Sequence, residues 1–149
     1  MKVGIVPNFT REKTLEILNQ VINYLDNFNM EYFFDSEKID SFPISIGKDN
    51  IVSNLYDFVD LVIVIGGDGS YIHAAKDAAV HKKPVLCINA GNLAFLAGLE
   101  GNELDLLKNL ISGDYTTDRR MMLEVVLKTD TSEKLLGYCL NDVVIARYG

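Results

Sequence analysis

An aspartate ringed by glycines stands between two very different stretches of chain. Before it runs Leu61-Val62-Ile63-Val64-Ile65, then come Gly66-Gly67-Asp68-Gly69-Ser70, and Tyr71 to Val80 follows with helical character and four alanines. Glycines at such a junction let the backbone turn sharply and approach a phosphate without Cβ interference. The helix behind them offers unpaired N–H groups and the positive end of its dipole to an anion. A carboxylate in the middle of that cradle repels a phosphate, so it needs a task of its own. It could take a proton from a substrate hydroxyl or hold a metal ion that bridges phosphates. The plainer alternative is a strand-to-helix turn in which Asp68 caps the helix.

Other polar residues stand out less. Asn141-Asp142 lies inside the apolar segment Lys134 to Ala146, where burial is costly unless both side chains find partners. Arg119 and Arg120 suit an anchoring role beside a hairpin, and Lys82-Lys83 a solvated helix end. Cys87 and Cys139 sit far apart in apolar segments and read as buried small hydrophobes of a reducing cytoplasm.

The elements that must position these groups follow from the pattern. Lys2 to Pro7 reads as a first strand. Thr10 is a candidate cap for a helix whose Leu15, Leu18, Val21, Ile22 and Leu25 recur at three-and-four spacing. Glu31 to Phe34 makes a second strand, so the chain opens strand, helix, strand, the start of a parallel sheet. The stretch 35–50 is polar and reads as a mobile loop, with Ile51 to Phe58 as a short helix. Leu61 to Ile65, β-branched and unbroken, suits a strand covered on both faces. Val85 to Ile88 reads as another strand, and Asn102 to Ile111 as a helix ended by Gly113-Asp114. Met121 to Lys128 and Lys134 to Ala146 then flank the turn 129–132 as a β-hairpin. The expected fold is α/β: an open, mainly parallel sheet with flanking helices over residues 1–116. Residues 117–149 are the first strands of a β-rich second domain, which a lone hairpin leaves incomplete.

The composition sets bounds. With 149 residues and nearly half of them hydrophobic, the chain can bury a real core. Its net charge of -7 and lack of a long Lys/Arg run argue against nucleic acid as a partner. Five apolar residues in a row cannot span a bilayer, so no membrane partner is expected.

The motif Gly66-Gly67-Asp68-Gly69-Ser70 resembles one shared by NAD kinases, diacylglycerol and sphingosine kinases, and phosphofructokinases. Three further segments resemble the NAD kinase family in particular: Ile88-Asn89-Ala90-Gly91-Asn92-Leu93-Ala94-Phe95-Leu96, Arg119-Arg120-Met121-Met122-Leu123-Glu124, and Leu140-Asn141-Asp142-Val143-Val144-Ile145. Ala94 departs from the family's usual Gly before Phe95. The resemblance implies transfer of a phosphoryl group from ATP, with Mg²⁺, to the 2′-hydroxyl of the adenosine ribose of NAD. It makes Asp68 the carboxylate that activates that hydroxyl and sets Gly66, Gly67 and Gly69 against the nucleotide. His73 stands where the family often carries Lys or Arg facing phosphate. Asn89 and Phe95 would line the same cleft, and Asn141 and Asp142 would hydrogen-bond the dinucleotide. A cytoplasmic homo-oligomer, dimer or tetramer, is implied as well. Family members continue into a β-rich domain that completes the nucleotide site, so the 149-residue piece alone is expected to be inactive. Two other readings stand beside this one: a kinase of another hydroxylated substrate (lipid or sugar), and a non-catalytic NAD(P)-binding module.

Overall fold

The computed structural model describes residues 1–91 and 93–147; Asn92, Tyr148 and Gly149 fall outside the described residues. The chain divides into two compact units, Met1–Thr116 and Thr117–Gly149.

In the first unit the elements run β1 (Lys2–Pro7), α1 (Thr14–Asn27), β2 (Glu31–Asp35), β3 (Ile51–Val52), α2 (Leu55–Phe58), β4 (Leu61–Gly66), α3 (Asp68–Val80), β5 (Val85–Asn89), β6 (Leu99–Glu100) and α4 (Lys108–Ser112). Six strands form one sheet in the order β3-β2-β1-β4-β5-β6. Every pairing is parallel. The expected α/β sheet is therefore present.

Strand β4 explains why its sequence is unbrokenly apolar. All six of its residues are buried. Leu61, Ile63 and Ile65 pack on one face with Ile17, Leu18, Val21 and Leu25 of α1. Val62 and Val64 pack on the other with Ala74 and Ala78 of α3 and Leu55 of α2. Alternate side chains of a strand point to opposite faces, so a strand between two helical layers needs apolar residues at every position. Each large side chain buried this way contributes about 1.5–3 kcal/mol. The alanines of α3 keep that helix close to the sheet, which fixes its first turn against the end of β4.

Several boundaries differ from the expectations. Helix α1 begins at Thr14 after Lys13, with no side-chain cap. Thr10 does not cap it, because the Asn8 side-chain oxygen accepts from both the Thr10 N–H (3.1 Å) and its hydroxyl (2.8 Å). This local turn competes with a helix cap. Ile51–Val52 is not helical; these β-branched residues pair with Phe34 and Asp35 at the sheet edge. Asn54, with φ of 57°, then separates them from α2. In the 35–50 stretch, Ile39, Phe42, Ile44 and Ile46 pack against the core, and short 3-10 turns occupy Ile39–Ser41 and Lys48–Asn50. The expected helix over 102–111 is a 3-10 turn, Leu104–Leu107, running into α4.

The second unit is an antiparallel hairpin of β7 (Leu123–Lys128) and β8 (Glu133–Cys139), with a bulge at Val125/Val126. Its turn is held by bonds between Thr129 and Ser132. Strand β8 stops seven residues short of Ala146. Cys139 pairs with Leu123 at the start of β7, so among the described residues no strand offers backbone partners beyond that point.

Candidate active site

The order of the strands fixes where a ligand can enter. From β1 the chain moves outward to β2 and β3, then returns to place β4 on the other side of β1 and continues to β5 and β6. Connections leaving β1 and β4 therefore diverge, and a crevice opens beyond the carboxyl ends of these two strands. Asn8 follows β1 there, and Gly66 closes β4. The two sides are joined: the Asn8 amide donates to the Ser70 hydroxyl at 2.7 Å. Thr14 ties in the head of α1 by donating to the Asn8 carbonyl, also at 2.7 Å.

The glycines turn out to act by absence of bulk. None of Gly66, Gly67 and Gly69 has positive φ, so a left-handed conformation is not what requires them. A Cβ on Gly66 would lie 2.5 Å from the Ser70 hydroxyl oxygen and 2.7 Å from its Cβ. A methyl group on Gly67 or Gly69 would meet nothing within 4 Å, which leaves open space at the head of the helix. Helix α3 starts at Asp68, three residues before the expected Tyr71, so Asp68 and Gly69 belong to its first turn. Their N–H groups lack carbonyl partners within the helix and face the region where an anion is favoured.

Asp68 is half-buried and its carboxylate is held by a distant segment. The N–H of Phe95 reaches both carboxylate oxygens at 3.1 Å, and the N–H of Leu96 reaches Oδ1 at 2.9 Å. Its aim is thus set by the loop after β5. A carboxylate offers about four acceptor positions, so capacity remains for a substrate hydroxyl.

The other expected residues are distributed unevenly. Gly69 and His73 line a hollow of about 600 Å³ together with Asn8, Phe9 and Phe42. His73 is exposed, on the second turn of α3. Asn89 pairs with Gly66 across β4 and β5, but its side chain faces a separate hollow of about 400 Å³. There it donates to Glu100 at 2.9 Å and accepts from the Gly91 N–H at 2.8 Å, so its buried amide is satisfied by the protein itself. Phe95 is 82% exposed and is not among the residues lining either of these two hollows. It is the backbone of Phe95 that meets Asp68. Asn141 and Asp142 lie past the end of β8 and are both exposed, not embedded in a strand as the sequence suggests. Among the described residues, no group of three or more His, Cys, Asp or Glu side chains is arranged to hold a metal.

Three contributors carry little mark in the sequence: Asn8, whose role depends on β1 and β4 being neighbours; Glu100, the partner of Asn89; and Tyr56, which also lines the larger of these two hollows. The Pro7-Asn8 turn was the one available signal. Cys87, by contrast, is buried; desolvation first, then the carboxylates of Asp68 and Glu100, push its thiol up to about 12.

Known proteins with similar sequences and folds bear on this geometry. Residues 3–115 match the family model described as the ATP-NAD kinase N-terminal domain. An NAD kinase from Natranaerobius thermophilus is 33% identical over 147 residues, covering 97% of this chain and 51% of the relative. An NAD kinase from Acinetobacter baylyi is 33% identical over 144 residues, covering 96% of the chain and 47% of the relative. The chain thus spans about half the length of the curated relatives it matches. In fold it is similar to a yeast NADH kinase crystallised with NADH, with a TM-score of 0.71 and 21% identity over 93% of this chain and 46% of that one. No helix among the described residues is long and apolar enough to cross a membrane.

Proposed function

The chain belongs to the ATP-NAD kinase family, by its N-terminal domain, and from that premise we propose that it carries the catalytic carboxylate for phosphorylation of NAD by ATP. The observation that carries the reading is Asp68: an acid at the head of a helix, at the crevice between β1 and β4, aimed by the N–H groups of Phe95 and Leu96. In this reading the adenosine ribose of NAD presents its 2′-hydroxyl to Asp68. The carboxylate accepts the proton as the oxygen attacks the γ-phosphorus of ATP, and ADP leaves. Phosphoryl transfer asks the protein chiefly for positioning and charge stabilisation. The open space beside Gly67 and Gly69 admits phosphate oxygens to the first N–H groups of α3, and His73 borders the same hollow.

Mg²⁺ fits as a passenger of the donor. Such ions are commonly bound by one or two carboxylates plus substrate phosphates rather than by an all-protein cage, and the described residues offer no such cage. Asn141 and Asp142 are proposed as dinucleotide contacts in the whole protein; their position past the end of β8 leaves both side chains available. A homo-oligomer working in the cytoplasm belongs to the same proposal.

The test is NADP formation from NAD, ATP and Mg²⁺, run on this chain and on any longer natural product that contains it. Asp68→Asn is expected to lower the rate by roughly two to four orders of magnitude. A wild-type rate in that variant removes Asp68 from the chemistry. Failure of every natural form to make NADP removes the reaction itself.

A further inference from the structure

Among the described residues, only Thr14 and Asn89 are polar and buried. Thr14 holds the head of α1 to Asn8. Asn89 ends β5 and is 3% exposed. It stands in a row that crosses the carboxyl edge of the sheet, paired with Gly66 of β4 on one side and Glu100 of β6 on the other. The chain leaves that row at Asn89, forms the loop that reaches Asp68, and re-enters it at Leu99–Glu100. The amide of Asn89 holds both ends of this excursion. Its oxygen accepts from the Gly91 N–H at 2.8 Å on the way out, and its nitrogen donates to a Glu100 carboxylate oxygen at 2.9 Å on the way back. The orientation of the amide is unambiguous, because a backbone N–H only donates and a carboxylate only accepts. Backbone pairing alone closes the loop weakly: β6 has two residues, preceded by one bond from the Gly98 N–H to the Cys87 carbonyl. Glu100 is itself fixed, since its N–H donates to the Glu103 carboxylate at 2.9 Å and its carbonyl accepts from the Glu103 N–H at 3.0 Å.

We infer that Asn89 and Glu100 are positioning residues for Asp68: they close the loop whose Phe95 and Leu96 N–H groups aim the carboxylate, and Asn89 does not touch the dinucleotide. The inference rests on the reading of Asp68 as the proton acceptor in phosphoryl transfer to NAD. An amide so deeply buried, with its oxygen and its nitrogen both engaged, presents little surface to a ligand. Asp68, in contrast, depends on the loop entirely. Among the described residues its carboxylate has no hydrogen-bond partner other than the N–H groups of Phe95 and Leu96. A general base acts only within hydrogen-bond reach of the proton it takes. Misplacement by about 1 Å can cost about a hundredfold in rate, so whatever sets the loop sets the base.

Reversing the polarity of the Asn89–Glu100 bond tests this. Asn89→Asp keeps an acceptor for the Gly91 N–H but sets two carboxylates against each other. Adding Glu100→Gln supplies a donor again, from the opposite side. In the natural form that makes NADP, Asn89→Asp should lower kcat about ten- to a hundredfold and leave KM for NAD and for ATP within about twofold. The double variant should return kcat to within about threefold of wild type. Glu100→Ala, which alters an exposed residue, should repeat the loss and serves if Asn89→Asp does not fold. A second readout needs no turnover. In the 149-residue chain, deuterium uptake over 93–98 should quicken about tenfold in Asn89→Asp and in Glu100→Ala, return to the wild-type rate in the double variant, and stay unchanged in buried β4. A raised KM for NAD with kcat unchanged places Asn89 against the dinucleotide and overturns the inference. So does a loss of kcat that the double variant does not restore, or uptake that rises equally in β4, the mark of general destabilisation. Wild-type uptake over 93–98 in both single variants overturns it whatever the activity. If uptake responds as expected and no form makes NADP, the kinase reading fails while the hold of Asn89 and Glu100 on the loop stands.

Discussion

At the scale of single residues, the neighbouring glycines Gly66 and Gly67 do different things. Gly66 is buried where the end of β4 passes Ser70, and a methyl group there would sit 2.5 Å from the Ser70 hydroxyl oxygen. Gly66→Ala should therefore force Ser70 aside, break its bond to Asn8 and cost about 1–3 kcal/mol, read as a drop in the denaturation midpoint. Gly67→Ala meets no protein atom within 4 Å and sits at φ of -113°, so its stability should stay within about 0.5 kcal/mol of wild type. Its defect should appear instead in nucleotide binding, since the methyl group fills space that the proposed phosphates use. Unfolding curves and ATP titrations on the same two proteins separate these effects. Asp68→Asn belongs with them as a variant whose loss falls on turnover.

Among the elements, the paired helices on either side of β4 carry the stability that keeps the crevice in shape. Leu18 of α1 is wholly buried between the helix and the sheet. Leu18→Ala is expected to cost about 2–5 kcal/mol in urea unfolding. Leu15 is 36% exposed, and Leu15→Ala should cost far less. Periodicity located α1 and put Leu18, Val21 and Leu25 on the buried side, but it also placed Leu15 there and passed over Ile17, which the core takes instead. The unbroken run in β4 was legible because two-sided burial leaves its mark on every residue. Short edge pieces such as Ile51–Val52 were not, since two residues acquire strand character only from the neighbour they pair with. The site divides in the same way. Asp68 and its glycines were evident because a charged residue among glycines is locally conspicuous. The bonds from Phe95 and Leu96 to Asp68, and from Asn8 to Ser70, span 27, 28 and 62 positions and exist only once the sheet is assembled.

For the molecule as a whole, two buried weak acids predict how stability responds to alkali. Cys87, ordinarily near 9.0, and Tyr56, ordinarily near 10.0, are each pushed up to about 12 in the folded chain, chiefly by burial. The unfolded chain then releases these protons at lower pH than the folded one. Folding is favoured by that difference below about pH 9 and loses the advantage as pH rises toward about 12. The unfolding free energy should thus decline across this window. In Cys87→Ala the decline should begin nearer pH 10, where Tyr56 takes over, as followed by denaturant titrations at stepped pH. If the variant and wild type lose stability in parallel from about pH 9, Cys87 is not the group responsible.

The tether between Asp68 and the loop after β5 carries its own means of observation. Two amide protons, those of Phe95 and Leu96, point at a single carboxylate. Their resonances should respond to whatever happens to that charge, whether protonation, a hydroxyl approaching it, or its replacement by an amide. Backbone NMR of the chain could then follow the state of Asp68 from two labelled nitrogens that belong to other residues, without altering the carboxylate under study.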